Sequence, residues 1–126
     1  MNKLIKLFIT SISAITLALV SFSSSFAKVE GEYIVLGAAV SLTGKYSSNG
    51  VHTQNGYNLA VERINKMGGV EVGGKKYKFE IIYYDDESNS GRAAQLAERL
   101  IKQDGVKYML GPYSSGLTKA MAPVTE

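Results

Sequence analysis

The 126-residue chain has no cysteine and a single histidine, His52, and these shortages remove whole classes of chemistry. Without cysteine there is no disulfide, no thiolate metal centre and no site for lipid attachment behind an export signal. With one histidine, no second imidazole or thiolate supports a metal site, and His52, at the start of an expected helix, reads as a solvated residue. Nucleophilic catalysis by Ser114 or Ser115 lacks a base, and no G-x-S-x-G elbow surrounds either serine. No G-x-G-x-x-G follows the first apolar run, so a dinucleotide site has no support. Gly69–Lys76, GVEVGGKK, fits G-x-x-x-x-G-K, yet Lys76 stands where a magnesium-binding Ser or Thr is needed. It also runs from helix into strand, the reverse of the direction that aims amides at a phosphate. No catalytic residue, metal or cofactor is therefore assigned.

Charge of one sign is also scarce. The whole chain carries a formal +3, but Lys3 and Lys6 belong to an N-terminal leader. Residues 28–126 hold 12 basic and 11 acidic side chains, a net of +1. The basic residues are scattered among acids, which argues against a nucleic-acid surface. The leader has three parts: Lys3 and Lys6 without an acid, an apolar core over Leu7–Val20, and the small, polar Ser21–Ala27. This is the pattern of a secretory signal cut after Ala27, with Ser25-Phe26-Ala27 as the cleavage end. The core of 14 residues is short of the roughly 20 that span a bilayer, so an uncleaved anchor is the lesser reading. Export, most simply to a periplasm, is expected, with residues 28–126 as one small domain.

Apolar periodicity organises the remainder, and no internal repeat interrupts it. Tyr33–Val40, YIVLGAAV, reads as a strand buried on both faces. Ser41–Gly50 reads as a Gly/Ser loop, and Val51–Met67 as a helix stopped by Gly68-Gly69. Val70–Val72 and Lys75–Tyr77 flank Gly73-Gly74, a two-residue hairpin signal. The second arm continues through Phe79, Ile81, Ile82 and Tyr83 to Asp85-Asp86. Ser88–Ser90 offers caps for a helix with Ala93, Leu96, Ala97, Leu100 and Ile101 on one face and a Glu98–Lys102 pair on another. Gly105 closes it. The β-α-β-α-β-α order predicts an α/β fold, a parallel sheet with helices on both faces. Right-handed crossovers allow the strand order 2-1-3 with Tyr33–Val40 central.

The most informative stretch is Val106–Thr118, VKYMLGPYSSGLT. Val106, Met109 and Leu110 form a short strand that stops at Gly111-Pro112, and Ser114-Ser115 open a helix. Either serine can cap that helix. The same terminus attracts a carboxylate or phosphate through free amides and the helix dipole. In the expected strand order the chain reverses between the first and third strands, where open α/β sheets bind ligands. The loops that emerge there, Ser41–Gly50 and Gly111–Ser115, carry Tyr46 and Tyr113, either of which can wall an apolar ligand group. The Asp85-Asp86-Glu87 carboxylates can bind a cation or tether the turn that follows; the tether is the ordinary role.

These segments, SLTGKYSSNG, NGYNLAVERIN, KKYKFEIIYYDDESN and VKYMLGPYSSGLTKAMAPV, resemble in order the leucine/isoleucine/valine-type solute-binding proteins. Those are type I periplasmic binding proteins of ABC importers, and the resemblance covers Tyr33–Glu126. It implies two α/β lobes closing on an amino acid or related small polar solute, without catalysis. It also implies a membrane permease as partner and a monomer when full length. Residues 28–126 would be the N-terminal part of the first lobe, because the family is about three times longer. Tyr113, Ser114 and Ser115 match a ligand-contacting segment, with Ser115 and nearby amides on the ligand's α-carboxylate. The family's first loop often places an aromatic before the glycine matching Gly50, where this chain has Asn49, with Tyr46 earlier. Some members carry a disulfide-bonded cysteine at the position of Ser114. A ligand-sensing receptor ectodomain of the same bilobed fold is the alternative.

Overall fold

A computed structural model describes residues 29–30 and 32–126. The expected export signal, residues 1–27, lies outside the described residues. The elements in order are β1 (Val29–Glu30), β2 (Tyr33–Val40), α1 (Ser47–Lys66), β3 (Val70–Val72), β4 (Lys75–Asp85), α2 (Ser90–Lys102), β5 (Tyr108–Leu110) and α3 (Ser115–Thr125).

β2 lies at the centre. β4 pairs with it in parallel along its whole length, Tyr33 opposite Lys78 through Val40 opposite Asp85. β5 pairs in parallel on its other edge, Leu36 opposite Tyr108 through Ala38 opposite Leu110. The expected order of the three main strands is therefore the one observed. The antiparallel β1, opposite Tyr33 and Ile34, is an addition that two residues of sequence do not announce. The β3–β4 hairpin turns at Gly73 and Gly74, whose φ of 59° and 79° match the mirror-image turn that suits strand twist.

Alternation along the strands separates the two faces. Val35 and Ala39 of β2 pack with Leu96, Ala97, Leu100, Leu117 and Met121, so α2 and α3 cover one side. Ile82 and Tyr84 of β4 join that side, which leaves Phe79, Ile81 and Tyr83 facing α1. α1 fixes its own position through polar bonds. The Asn65 side chain donates to the Phe79 carbonyl and accepts from the Phe79 N–H, both at 2.8 Å. That satisfies the outer edge of β4 just beyond the last residue paired to β3. Tyr83 donates its hydroxyl to Asn58 Oδ1 at 2.8 Å.

Three expectations need adjusting. α1 begins at Ser47 rather than Val51, so the first loop is Ser41–Tyr46 and Asn49 and Gly50 are helical. Gly50 looks like a loop residue in sequence, but it is buried where the helix meets the end of β2. β5 is only Tyr108–Leu110; Val106 is buried ahead of it in a cluster with Val35 and Leu100, and its N–H donates to Leu100 O at 2.9 Å, at the end of α2. α2 follows the expected pattern, with Asn89 Oδ1 accepting from Arg92 N at 2.9 Å as its cap. Glu98 and Lys102 pair along its exposed side.

Candidate functional site

β2, β4 and β5 all end on one rim, at Val40, Asp85 and Leu110. From β2 the chain crosses through α1 to β4 on one flank, then through α2 to β5 on the other. The rim between β2 and β5 is thus the switch point, and the β2–α1 and β5–α3 loops lie beside it.

The β5–α3 turn is shaped by its own residues. Ser114, extended at φ −105° and ψ 147°, is the N-cap of α3, and its Oγ accepts from Leu117 N at 3.2 Å. Thr118 N donates to Ser114 O at 3.0 Å, the first bond of the helix. Of the two candidate serines, Ser114 is thus the one that caps. Ser115, the first helical residue, is exposed, and the amides of Ser115 and Gly116 lie ahead of that first bond, where helices leave donors free. The turn is braced from the other face of the sheet. Tyr57 of α1 donates its hydroxyl to Gly111 O at 2.8 Å. Burial pushes the Tyr57 hydroxyl above the usual tyrosine range, which keeps it a donor at ordinary pH. This brace had no motif; its only trace is a tyrosine among the apolar positions of a helix.

The β2–α1 loop is held by the β4–α2 turn. Asp85 Oδ1 accepts from Leu42 N at 2.9 Å, Thr43 N at 3.2 Å and Glu87 N at 2.8 Å. Asp85 Oδ2 accepts from Thr43 Oγ1 at 2.7 Å. Asp86, fully buried, accepts from Ser41 Oγ at 2.6 Å and from Ser88 N at 2.8 Å. Burial alone would raise the Asp85 carboxyl, but the Thr43 hydroxyl and the Glu87, Leu42 and Thr43 amides together hold it below the usual aspartate range. The carboxylates therefore act as tethers, both of their own turn and of the loop opposite. Among the described residues no group of three or more His, Cys, Asp or Glu is placed to hold a metal ion.

These supports bring two of the expected site residues together. The Tyr46 and Tyr113 rings stand 6.0 Å apart at 54°, Tyr46 half-buried against the core and Tyr113 48% exposed. Lys45 Nζ sits 4.7 Å from the Tyr46 centroid. Ser114 and Ser115 follow Tyr113 directly. Asn49 is exposed in the first turn of α1, three residues beyond Tyr46, with its carbonyl accepting from Thr53 Oγ1 at 2.9 Å. The rim thus presents an aromatic pair, a free serine hydroxyl and a helix N-terminus as an open wall. The grooves near it are open to solvent, and one of about 160 Å³ borders Gly111 and Pro112 of the β5–α3 turn. A groove of about 350 Å³ runs along α1 past Leu59 and Met67, and one of about 430 Å³ follows β5 and the end of α3. No described helix is long and apolar enough to cross a membrane.

Residues 33–126 match the family model described as periplasmic binding protein. The Leu/Ile/Val-binding protein BraC3 of Rhizobium johnstonii is 30% identical over 114 residues, covering 90% of this chain and 29% of that protein. The leucine-, isoleucine-, valine-, threonine- and alanine-binding protein of Pseudomonas aeruginosa is 28% identical over 110 residues, covering 87% and 28%. The branched-chain amino acid transporter substrate-binding protein LivJ of Streptococcus pneumoniae, solved with isoleucine, superposes with a TM-score of 0.64 at 31% identity, over 71% of this chain and 25% of that one. The leucine-binding protein LivK of Thermotoga maritima gives 0.63 at 25% identity, over 73% and 24%. The chain spans less than a third of the length of these relatives, which are named as binding proteins rather than enzymes. With its sheet order, its switch-point rim and a match across nearly all described residues, the chain belongs to the type I periplasmic binding proteins.

Proposed function

We propose that this chain is the N-terminal part of the substrate-binding component of an ABC importer. In this reading residues 1–27 direct export to the periplasm and are cut after Ala27. Residues 28–126 form part of the first of two lobes that close on a branched-chain amino acid or related small polar solute. The protein then delivers the solute to a membrane permease, as a monomer and without catalysing a reaction.

The observation that carries this reading is Ser115, exposed at the first position of α3 beside the Tyr46–Tyr113 pair. A carboxylate set against Ser115 Oγ and the first-turn amides meets both donors and the positive end of the helix dipole. An apolar side chain then falls toward the aromatic pair, where burial favours it. The ammonium of the solute and the remaining wall are left to the facing lobe, since pockets for small solutes enclose roughly 70–90% of them. The relatives named for leucine, isoleucine and valine supply the solute class.

The test is calorimetry on the full chain as its gene encodes it, with L-isoleucine, L-leucine and L-valine against L-isoleucinamide. Saturable binding of the amino acids and marked weakening for the amide are expected. Equal affinity for acid and amide would remove the carboxylate role. Absence of heat with all three amino acids would remove the branched-chain assignment.

A further inference from the structure

Tyr46 owes its place in the crevice to a residue on a different loop. Ser88, in the β4–α2 turn, accepts from Tyr46 N at 3.0 Å and donates its hydroxyl to Thr43 O at 2.7 Å. One hydroxyl thus bonds both ends of the Thr43–Tyr46 segment. Gly44, between those ends, runs so close that a Cβ there would lie 2.7 Å from Ser88 Oγ. Ser88 is also one of two described non-glycine residues with positive φ, 60°, beside Glu87 at 55°. A serine held in the left-handed region carries a conformational cost that a glycine would avoid. The hydroxyl is what a glycine could not supply.

We propose that Ser88 is a positioning residue for the candidate binding rim: its hydroxyl sets where Tyr46 stands against Tyr113, and thereby the shape of the apolar wall offered to a solute. Ser88 acts through Tyr46 rather than by touching solute. The structural half of this proposal is independent of what binds; its consequence for solute selection rests on the amino-acid reading above.

Two variants separate positioning from stability. Ser88→Ala and Ser88→Gly both remove the hydroxyl, but only Ser88→Gly relieves the positive φ. Stability therefore falls in the first and is held or raised in the second, relative to the first, while positioning fails in both. Proximity of the Tyr46 and Tyr113 rings is read by nuclear Overhauser effects in the full chain, assigned with Tyr46→Phe and Tyr113→Phe. The inter-ring effect is expected in the parent and not in either Ser88 variant. Affinity for L-isoleucine is expected to fall about three- to ten-fold in both, the scale of one net hydrogen bond, with a smaller change for L-alanine. An inter-ring effect that persists in Ser88→Gly overturns the proposal, as does a loss of affinity that follows stability and so spares Ser88→Gly. A parent whose rings are close but which binds no amino acid, with the rings apart in both variants, supports the positioning role and overturns only the amino-acid reading.

Discussion

Gly50 and Ser41 are in backbone contact at the rim: a Cβ on Gly50 would lie 1.8 Å from the Ser41 carbonyl oxygen and 2.6 Å from its carbon. The first turn of α1 therefore packs on the end of β2 with no room for a side chain. Ser41 in turn is held from below by Asp86 through the 2.6 Å bond. Gly50→Ala should lower stability by about 1–3 kcal/mol, the range for overpacking, despite the better helix propensity of alanine. Denaturant titration of the full chain checks this. A midpoint at or above that of the parent would mean that α1 can tilt away freely.

The two serines of the β5–α3 turn should separate in their effects. Ser114→Ala removes the cap on Leu117 N and should cost about 1 kcal/mol of stability. Ser115→Ala leaves that cap intact and should barely alter the melt, yet weaken an amino-acid solute by about 1.5–3 kcal/mol, as expected for a hydrogen bond to a charged group. Thermal melts and calorimetry on both variants decide the assignment; the reverse pattern would make Ser115 the structural serine.

Asp85 predicts an acid-sensitive loop. Its carboxyl is held below the ordinary aspartate value by the Thr43 hydroxyl and three amides, so the unfolded chain takes up this proton first. The contribution is complete above the unfolded value of about 3.9 and disappears as pH falls through the lower folded value. Melting temperature should thus decline with acidification below about pH 5, and Asp85→Asn should flatten that slope. Asn keeps an oxygen for the three amides, so the variant should remain folded at neutral pH. Identical acid slopes in parent and variant would place the sensitivity elsewhere.

Export makes a separate prediction. Lys3 and Lys6, the apolar Leu7–Val20 and the Ser25-Phe26-Ala27 end should direct cleavage after Ala27. Intact-mass measurement of periplasmic protein should therefore find Lys28 at the amino terminus. Retention of Met1 on membrane-bound protein would instead assign the apolar segment as an anchor.

The sequence by itself determined the order of the main elements and the parallel arrangement of β2, β4 and β5. Apolar runs such as Tyr33–Val40, too short for a typical helix, read as strands covered on both faces, and the helical spacing of Ala93, Leu96, Ala97 and Leu100 fixes the buried side of α2. These are local signals, because burial of a whole face is repeated along the chain at a fixed period. The same locality located Ser114 and Ser115 at a helix start and Gly73-Gly74 at a turn. Tertiary structure decided what depends on a single approach between distant segments. Gly50 reads as a breaker until Ser41, nine residues earlier, is folded against it. Asp85 and Ser88 read as turn residues until they meet Leu42, Thr43 and Tyr46, more than forty residues away along the chain. Tyr57 reads as one more half-buried ring until Gly111 is brought within reach of its hydroxyl. Each such contact is made once, between groups with no repeating spacing, and those of Asp85, Ser88 and Tyr57 need the parallel pairing of β2 with β4 and β5 to carry their ends to the same rim.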